Sequence, residues 1–281
     1  MHGNNILNRT FITVDAVITT YNESYDQINI TLASCLQQSF PFDTIYIVDD
    51  GSKNFSPDKL IPHPSIKIIS LPVNKGISAA RNTAIKLSSA TYIACINVEI
   101  ELKRDCLEIL LSCFCYCYEF PISAAFGKLV VNSKSILSLW RLRFHEQYYP
   151  KSSGRAEFAP GHAVLFKSDY LLQVKGYNEN LKLVHEDADI CFRLKALDTN
   201  IYYNSNVSII SHQKDSLDLI SRKHLVRMTL GSGKSMRYKD FCKILLRDHF
   251  NRFFRNLIKG RWAFFFLDWK ISYNCFKLFI E

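Results

Sequence analysis

Tyr92–Ile96 is a run of five β-branched, aromatic or small apolar residues that stops abruptly at Asn97-Val98-Glu99. So short a run, without polar alternation, suits a strand covered on both faces, as in a parallel sheet between helices. Asn97 and Glu99 then fall just past the strand's carboxyl end, where open α/β sheets hold their ligands. Two oxygen-bearing side chains there can hold a hard divalent cation that bridges nucleotide phosphates. A polar strand end entering a turn reads the same way, so the neighbouring segments must decide.

Upstream, the pattern repeats. Phe11–Thr19 becomes the continuous apolar run VDAVIT and ends in Thr19-Thr20-Tyr21-Asn22-Glu23. Ser24–Phe40 follows with Ile28, Ile30, Leu32 and Cys35 near helical spacing, which makes a β-α unit. Thr44–Val48 is a second buried strand and runs into Asp49-Asp50-Gly51-Ser52. Two carboxylates at a strand's carboxyl end can accept from a base or ribose; an ordinary Asp-Gly turn has the same letters. Ser65–Ser70 forms a third strand, and Asn74-Lys75-Gly76 leads into a helix over Ile77–Leu87 bearing Arg81 and Asn82. Gly76 permits close backbone approach to a ligand, and Arg81 offers a planar fork to phosphate.

The 281 residues suffice for one large core, and 48% hydrophobic with 22% charged content excludes a disordered chain. No basic leader precedes an apolar core in MHGNNILNRTF, and no apolar run reaches the roughly 20 residues of a membrane span. The expected location is cytoplasmic, so nine cysteines read as reduced thiols. Cys113, Cys115 and Cys117 lie on an expected helix from Lys103 to Tyr118, where alternate residues face different ways; core filling explains them better than a metal cluster. The net charge of +9 favours anionic partners.

VDAVITTYNE, IYIVDDGS, NKGISAARNTAI and YIACINVE together resemble, in order and spacing, the nucleotide-binding half of the family 2 glycosyltransferases. The resemblance implies the α/β GT-A fold, Rossmann-like, with a mostly parallel sheet flanked by helices. It implies a nucleotide-sugar donor, a uridine one, contacted by Thr19, Tyr21, Asp49, Arg81 and Asn97, with Tyr21 stacked on the base. Asn97 and Glu99 occupy the family's Asp-x-Asp, which grips Mn²⁺ or Mg²⁺ and the diphosphate. Here Asn replaces the first Asp and removes its charge, while Glu replaces the second and keeps a carboxylate.

Ala124–Val131 reads as a returning strand and Ser133–Tyr149 as an amphipathic helix, for packing or for lining the acceptor cleft. Pro160-Gly161-His162, the Lys175–Asn178 turn and His185-Glu186-Asp187-Ala188-Asp189 resemble the same family's acceptor segment. The likeness implies acceptor contacts at Gly161 and His162 and makes Glu186-Asp187 the catalytic pair, Asp187 being the general base for inverting transfer to a glycan or glycolipid hydroxyl. Acidic residues in a helix's first turn are also favoured by its dipole alone. Short strands are expected at Ile201–Tyr203 and Val207–Ile210, followed by His212. That histidine completes the family's metal site with Glu99, or else simply satisfies hydrogen bonds.

Gly231-Ser232-Gly233-Lys234-Ser235 ends like a P-loop, but Met228 stands where that motif needs glycine, so a turn suffices. Residues 1–238 are thus expected as the catalytic domain and 239–281 as a helical C-terminal appendage. The appendage interleaves basic with aromatic residues, which suits an anionic membrane surface at the inner face, or a helical pair with solvated charges. Nucleic acid is not an expected partner, because acidic clusters mark the cleft. A nucleotide-sugar-binding scaffold that lost catalysis with its Asp-x-Asp is the competing function.

Overall fold

The structure, a computed structural model, describes residues 12–115, 120–133, 135–146, 149–182, 184–230 and 261–280, with positions 243, 245, 247, 256 and 258 between. The first eleven residues, Cys117, the turn expected at 231–235 and most of 239–260 lie outside the described residues. Two compact units are present: 1–132 with 148–212, and 133–147 with 213–281.

In the first unit the strands are β1 (Val14–Thr20), β2 (Thr44–Asp49), β3 (Ile66–Ser70), β4 (Tyr92–Asn97), β5 (Ile100–Leu102), β6 (Ile122–Val131), β7 (Gly154–Ala156), β8 (Ala163–Lys167) and β9 (Asn200–Ser211). They form one sheet in the order β3-β2-β1-β4-β8-β6-β9-β5, with β7 paired to β9. Parallel pairing joins β1 to β2 and β4, β2 to β3, and β6 to β9. The pairs β4–β8, β6–β8, β5–β9 and β7–β9 are antiparallel.

Helices cover both faces because strand side chains alternate. Ala16, Ile18, Ile45, Ile47 and Ile96 join one core with Ile28, Leu32 and Cys35 of α1 (Tyr25–Leu36) and Leu107, Leu110 and Leu111 of α3 (Cys106–Cys113). Val17, Val48, Ile93 and Cys95 point the other way, onto Ala80 and Ala84 of α2 (Ile77–Ile85), Leu171 of α5 (Ser168–Gln173) and Ile190 and Leu194 of α6 (Glu186–Lys195). Each fully buried Leu or Ile contributes about 1.5–3 kcal/mol. Ser24 starts α1 with a capping box, its hydroxyl accepting from Gln27 N–H while Gln27 reaches back, and the helix stops at Leu36, short of the expected Phe40.

β9 is one strand where two short ones are expected. Asn204-Ser205-Asn206 reads as a loop, yet β9 continues through it as β6 shifts register between Gly127 and Lys128. A Cβ on Gly127 would meet the Val207 side chain, so glycine makes room for the irregularity.

The second unit contains α4 (Ile136–Glu146), α7 (Leu217–Leu230) and α8 (Trp262–Ile280). Its core joins Trp140, Ile220, Leu245, Leu267, Ile271 and Cys275. Asp268 is buried within it, accepting from Trp140 Nε1 at 2.7 Å and Asn256 Nδ2 at 2.6 Å. Arg141 pairs with Asp215 at 2.9 Å.

Candidate active site

β1 lies between β2 and β4, so the chain's path across the sheet reverses there, and the carboxyl ends of these strands are the edge at which open α/β sheets hold their ligands. Register places Thr19 beside both Val48 and Asn97, and Thr20 beside Asp49. Thr19, Asp49 and Asn97 therefore meet at one edge. Asp49 is buried and accepts from Ser52 N–H at 3.1 Å. Tyr21, just past β1, is 44% exposed, and its N–H and the Thr20 hydroxyl both donate to Glu23 Oε2. An aromatic ring is thus held at the rim by a fixed backbone.

Asp50 shapes the adjoining loop. Its carboxylate accepts from Lys75 N–H at 2.7 Å and Gly76 N–H at 2.8 Å. Gly76 has φ 94°, and a Cβ there would lie 2.8 Å from Lys182 Cα, so only glycine enters α2 this way.

One turn into α2, Arg81 is 1% exposed. Nη2 donates to Asn97 Oδ1 at 2.8 Å and to the Gly161 carbonyl at 3.2 Å, and Nη1 donates to Glu186 Oε1 at 3.3 Å. Its guanidinium carbon lies 4.9 Å from the Tyr177 ring centroid. Burial opposes its charge, but the neighbouring Glu186 carboxylate helps to hold the pKa above its ordinary value. Burial, reinforced by the neighbouring Cys95, raises the Tyr177 phenol well above its usual range and keeps it neutral.

The acidic pair opens α6 behind His185, which takes the left-handed conformation at φ 68°. Glu186 turns inward to Arg81, while Asp187 stays part-exposed. Asp187 Oδ2 accepts from Gly161 N–H at 3.2 Å and Oδ1 from Ala188 N–H at 2.8 Å. The His162 carbonyl accepts from Asn97 N–H at 2.8 Å. Pro160-Gly161-His162 thus ties the end of β4 to the start of α6. Arg81, Asn97, Gly161, Glu186 and Asp187 form one connected group. Asn82 braces it from behind, exchanging hydrogen bonds with the Tyr177 backbone in both directions at 2.8 Å.

Glu99 and His212 are joined through the backbone, His212 N–H donating to the Glu99 carbonyl at 2.8 Å. Glu99 adopts φ 62°, which turns the chain sharply after β4. The His212 ring faces Glu101 instead, with Nε2 2.5 Å from Glu101 Oε2 and Nδ1 3.3 Å from Asn132 Nδ2. Among the described residues no three His, Cys, Asp or Glu side chains assemble into a ready cage, and the Asn97 amide oxygen already accepts from Arg81. A cation bound here would take its remaining ligands from substrate phosphates, with Glu99 and His212 as the candidate protein donors.

Glu101 and the Arg81–Glu186 pair are the residues that sequence reasoning misses. Glu101 sits on a three-residue strand and follows no motif. Its pairing with β9, which sets Glu101 against Ile210, is what brings it diagonally to His212.

A sequence profile described as Glycosyl transferase family 2 matches residues 15–173. The pre-mycofactocin glycosyltransferase of Mycobacterium tuberculosis is 25% identical over 193 residues, 64% of this chain and 40% of that protein. The hyaluronan synthase of Streptococcus pyogenes is 32% identical over 138 residues, 46% of this chain and 32% of that protein. The chain thus spans less than half the length of these curated relatives. Among solved structures, GalNAc-T7 with UDP, GalNAc and Mn²⁺ superposes with TM-score 0.61 at 11% identity, covering 84% of this chain and 54% of that one. S. aureus TarS 1-349 in complex with UDP superposes with TM-score 0.55 at 16% identity, covering 82% and 68%. These likenesses establish a shared fold.

Proposed function

The chain belongs to glycosyl transferase family 2, and from that premise we propose that it transfers a sugar from a uridine-diphosphate donor to a hydroxyl of a glycan or glycolipid acceptor, with inversion. The observation that carries this reading is the tie between the two halves of the crevice: Gly161 bonds at once to Arg81, which holds Asn97, and to Asp187. The donor edge and the carboxylate assigned to the acceptor are locked in one geometry.

In this reading Tyr21 stacks on the base, Thr19 and Asp49 hydrogen-bond to its edge, and the Arg81–Asn97 pair lies under the diphosphate. Gly161 and His162 border the acceptor. An alcohol attacks poorly until its proton is being removed. The Asp187 carboxylate takes that proton as the acceptor oxygen bonds to the anomeric carbon; the carbon–oxygen bond to the diphosphate breaks on the opposite face and its electron pair leaves with the nucleotide. Glu186, spent on Arg81, holds the pair's orientation rather than moving a proton. Glu99 and His212 would hold Mn²⁺ or Mg²⁺, which supplies positive charge for the leaving diphosphate. UDP in the solved neighbours supports the uridine donor.

Calorimetric titration with UDP, GDP and ADP tests the donor side. UDP is expected to bind most tightly, and Tyr21→Ala to weaken it by roughly 5- to 150-fold, the worth of one base–aromatic stack. Indifference to both the base and Tyr21 would overturn the assignment of this crevice.

A further inference from the structure

Helix α8 has two apolar sides, and packing within its own unit explains only one of them. Leu267, Ile271 and Cys275 are buried in the second unit's core, and Asp268 is buried with them. Trp262, Phe266, Trp269 and Tyr273 follow one another at intervals of four, three and four residues, which places them in a single stripe. They are 56–60% exposed. Trp269 and Tyr273 stack on each other with ring centroids 6.1 Å apart, and Trp262 and Phe266 both meet Phe265 edge-on, at 6.0 and 5.2 Å. Four large aromatic side chains in one exposed line exceed the scattered apolar residues of an ordinary surface.

The exposed charge carried by α8 itself has one sign. Arg261, Lys270 and Lys277 are exposed on or beside α8. The only acidic residue within Trp262–Ile280 is Asp268, 1% exposed and hydrogen-bonded to Trp140 and Asn256. No helix among the described residues is long and apolar enough to cross a membrane. Tryptophan and tyrosine favour the headgroup level of a bilayer, and flanking lysine and arginine favour an anionic leaflet.

We propose that α8 docks the protein on an anionic bilayer surface, with Trp262, Phe266, Trp269 and Tyr273 entering the headgroup boundary and Arg261 and Lys270 meeting lipid phosphates. The helix lies in the plane of the surface. A protein partner would also be offered aromatic area, but the exposed basic residues along α8 match acidic lipid headgroups. The inference does not depend on the transfer reaction.

The test is co-sedimentation of the full chain with vesicles of phosphatidylcholine alone and of phosphatidylcholine mixed with phosphatidylglycerol, alongside Phe266→Ser/Trp269→Ser and Lys270→Glu. The wild-type chain is expected on the mixed vesicles only, released by salt. The double variant should lose at least about tenfold in partition, and the charge reversal roughly 20- to 30-fold, at about 1 kcal/mol for each basic charge lost near the surface and twice that for reversal. Because all three positions are exposed, circular dichroism should show the fold unchanged. Equal binding by wild type and variants would overturn the proposal. So would absence of the wild type from mixed vesicles, with the double variant changing only oligomeric state or binding to single-stranded RNA.

Discussion

Arg81 reaches Asn97 and Glu186 with one guanidinium, Nη2 at 2.8 Å from Asn97 Oδ1 and Nη1 at 3.3 Å from Glu186 Oε1. A single carboxylate therefore contacts this buried cation directly. Where the family's motif has an aspartate, Asn97 keeps the accepting oxygen without adding a second negative charge beside Glu186. Removing one partner of a buried pair strands the other, which costs about 3–5 kcal/mol. Glu186→Gln is expected to lower unfolding free energy by that amount in urea denaturation, and Arg81→Lys, which loses the fork geometry, to destabilise as well. Full stability in Glu186→Gln would show that Arg81 does not need its counter-ion.

Gly176 has φ 68°, and a Cβ there would lie 2.4 Å from Asn82 Oδ1. Asn82 cannot swing aside, because it holds Tyr177 through its N–H and its carbonyl. Gly176→Ala should cost more than the roughly 1–2 kcal/mol of left-handed strain alone. Thermal unfolding of this variant beside Gly154→Ala, whose φ of 156° is also positive but where a Cβ meets nothing within 4 Å, separates the clash from the loss of a positive-φ glycine. Equal melting temperatures would contradict it.

Burial pushes the thiols of Cys106 and Cys191 up to about 12. Since the thiolate is the reactive form, raising the pH from 7 to 9 ionises neither. Cys115 is exposed. Iodoacetamide labelling followed by peptide mapping should therefore mark Cys115 well before Cys106 or Cys191 at either pH. Early modification of Cys191 would mean that α6 opens readily.

The His212–Glu101 contact at 2.5 Å predicts coupling between two residues far apart in sequence. If Glu101 orients the imidazole for a donor-bound cation, Glu101→Gln should raise the Mn²⁺ concentration needed for half-maximal transfer by roughly 10- to 100-fold. His212→Ala should do at least as much, and the double variant little more. Additive effects would separate the two residues.

Much of the fold is legible in the sequence, for physical reasons. Strands buried on both faces betray themselves as unbroken apolar runs, so the residues alone place β1, β2 and β4 and the polar side chains at their ends. Asn97, Asp49 and Thr19 follow from that edge. What hydrophobic periodicity cannot show is which polar side chains find one another across the fold. Arg81 reads as a phosphate fork on the first turns of α2, yet most of its donors are spent on Asn97, Gly161 and Glu186. Glu101 bears no local signal at all. The division of β9 fails for a related reason: Asn204-Ser205-Asn206 has loop chemistry, but a glycine on β6, 77 positions before Asn204, accommodates it as strand.

The central claim is that Asp187 takes the acceptor's proton while the crevice at β1 and β4 holds the donor. The most direct measurement is release of nucleoside diphosphate from a panel of nucleotide sugars with a glycan or lipid-linked acceptor, run on the wild-type chain and on Asp187→Asn with Mn²⁺, Mg²⁺ or chelator. Donor affinity is measured in parallel. The account predicts turnover of one uridine donor by the wild type and a loss of about 10²- to 10⁴-fold in Asp187→Asn, with donor binding unchanged. Undiminished turnover in Asp187→Asn would contradict it.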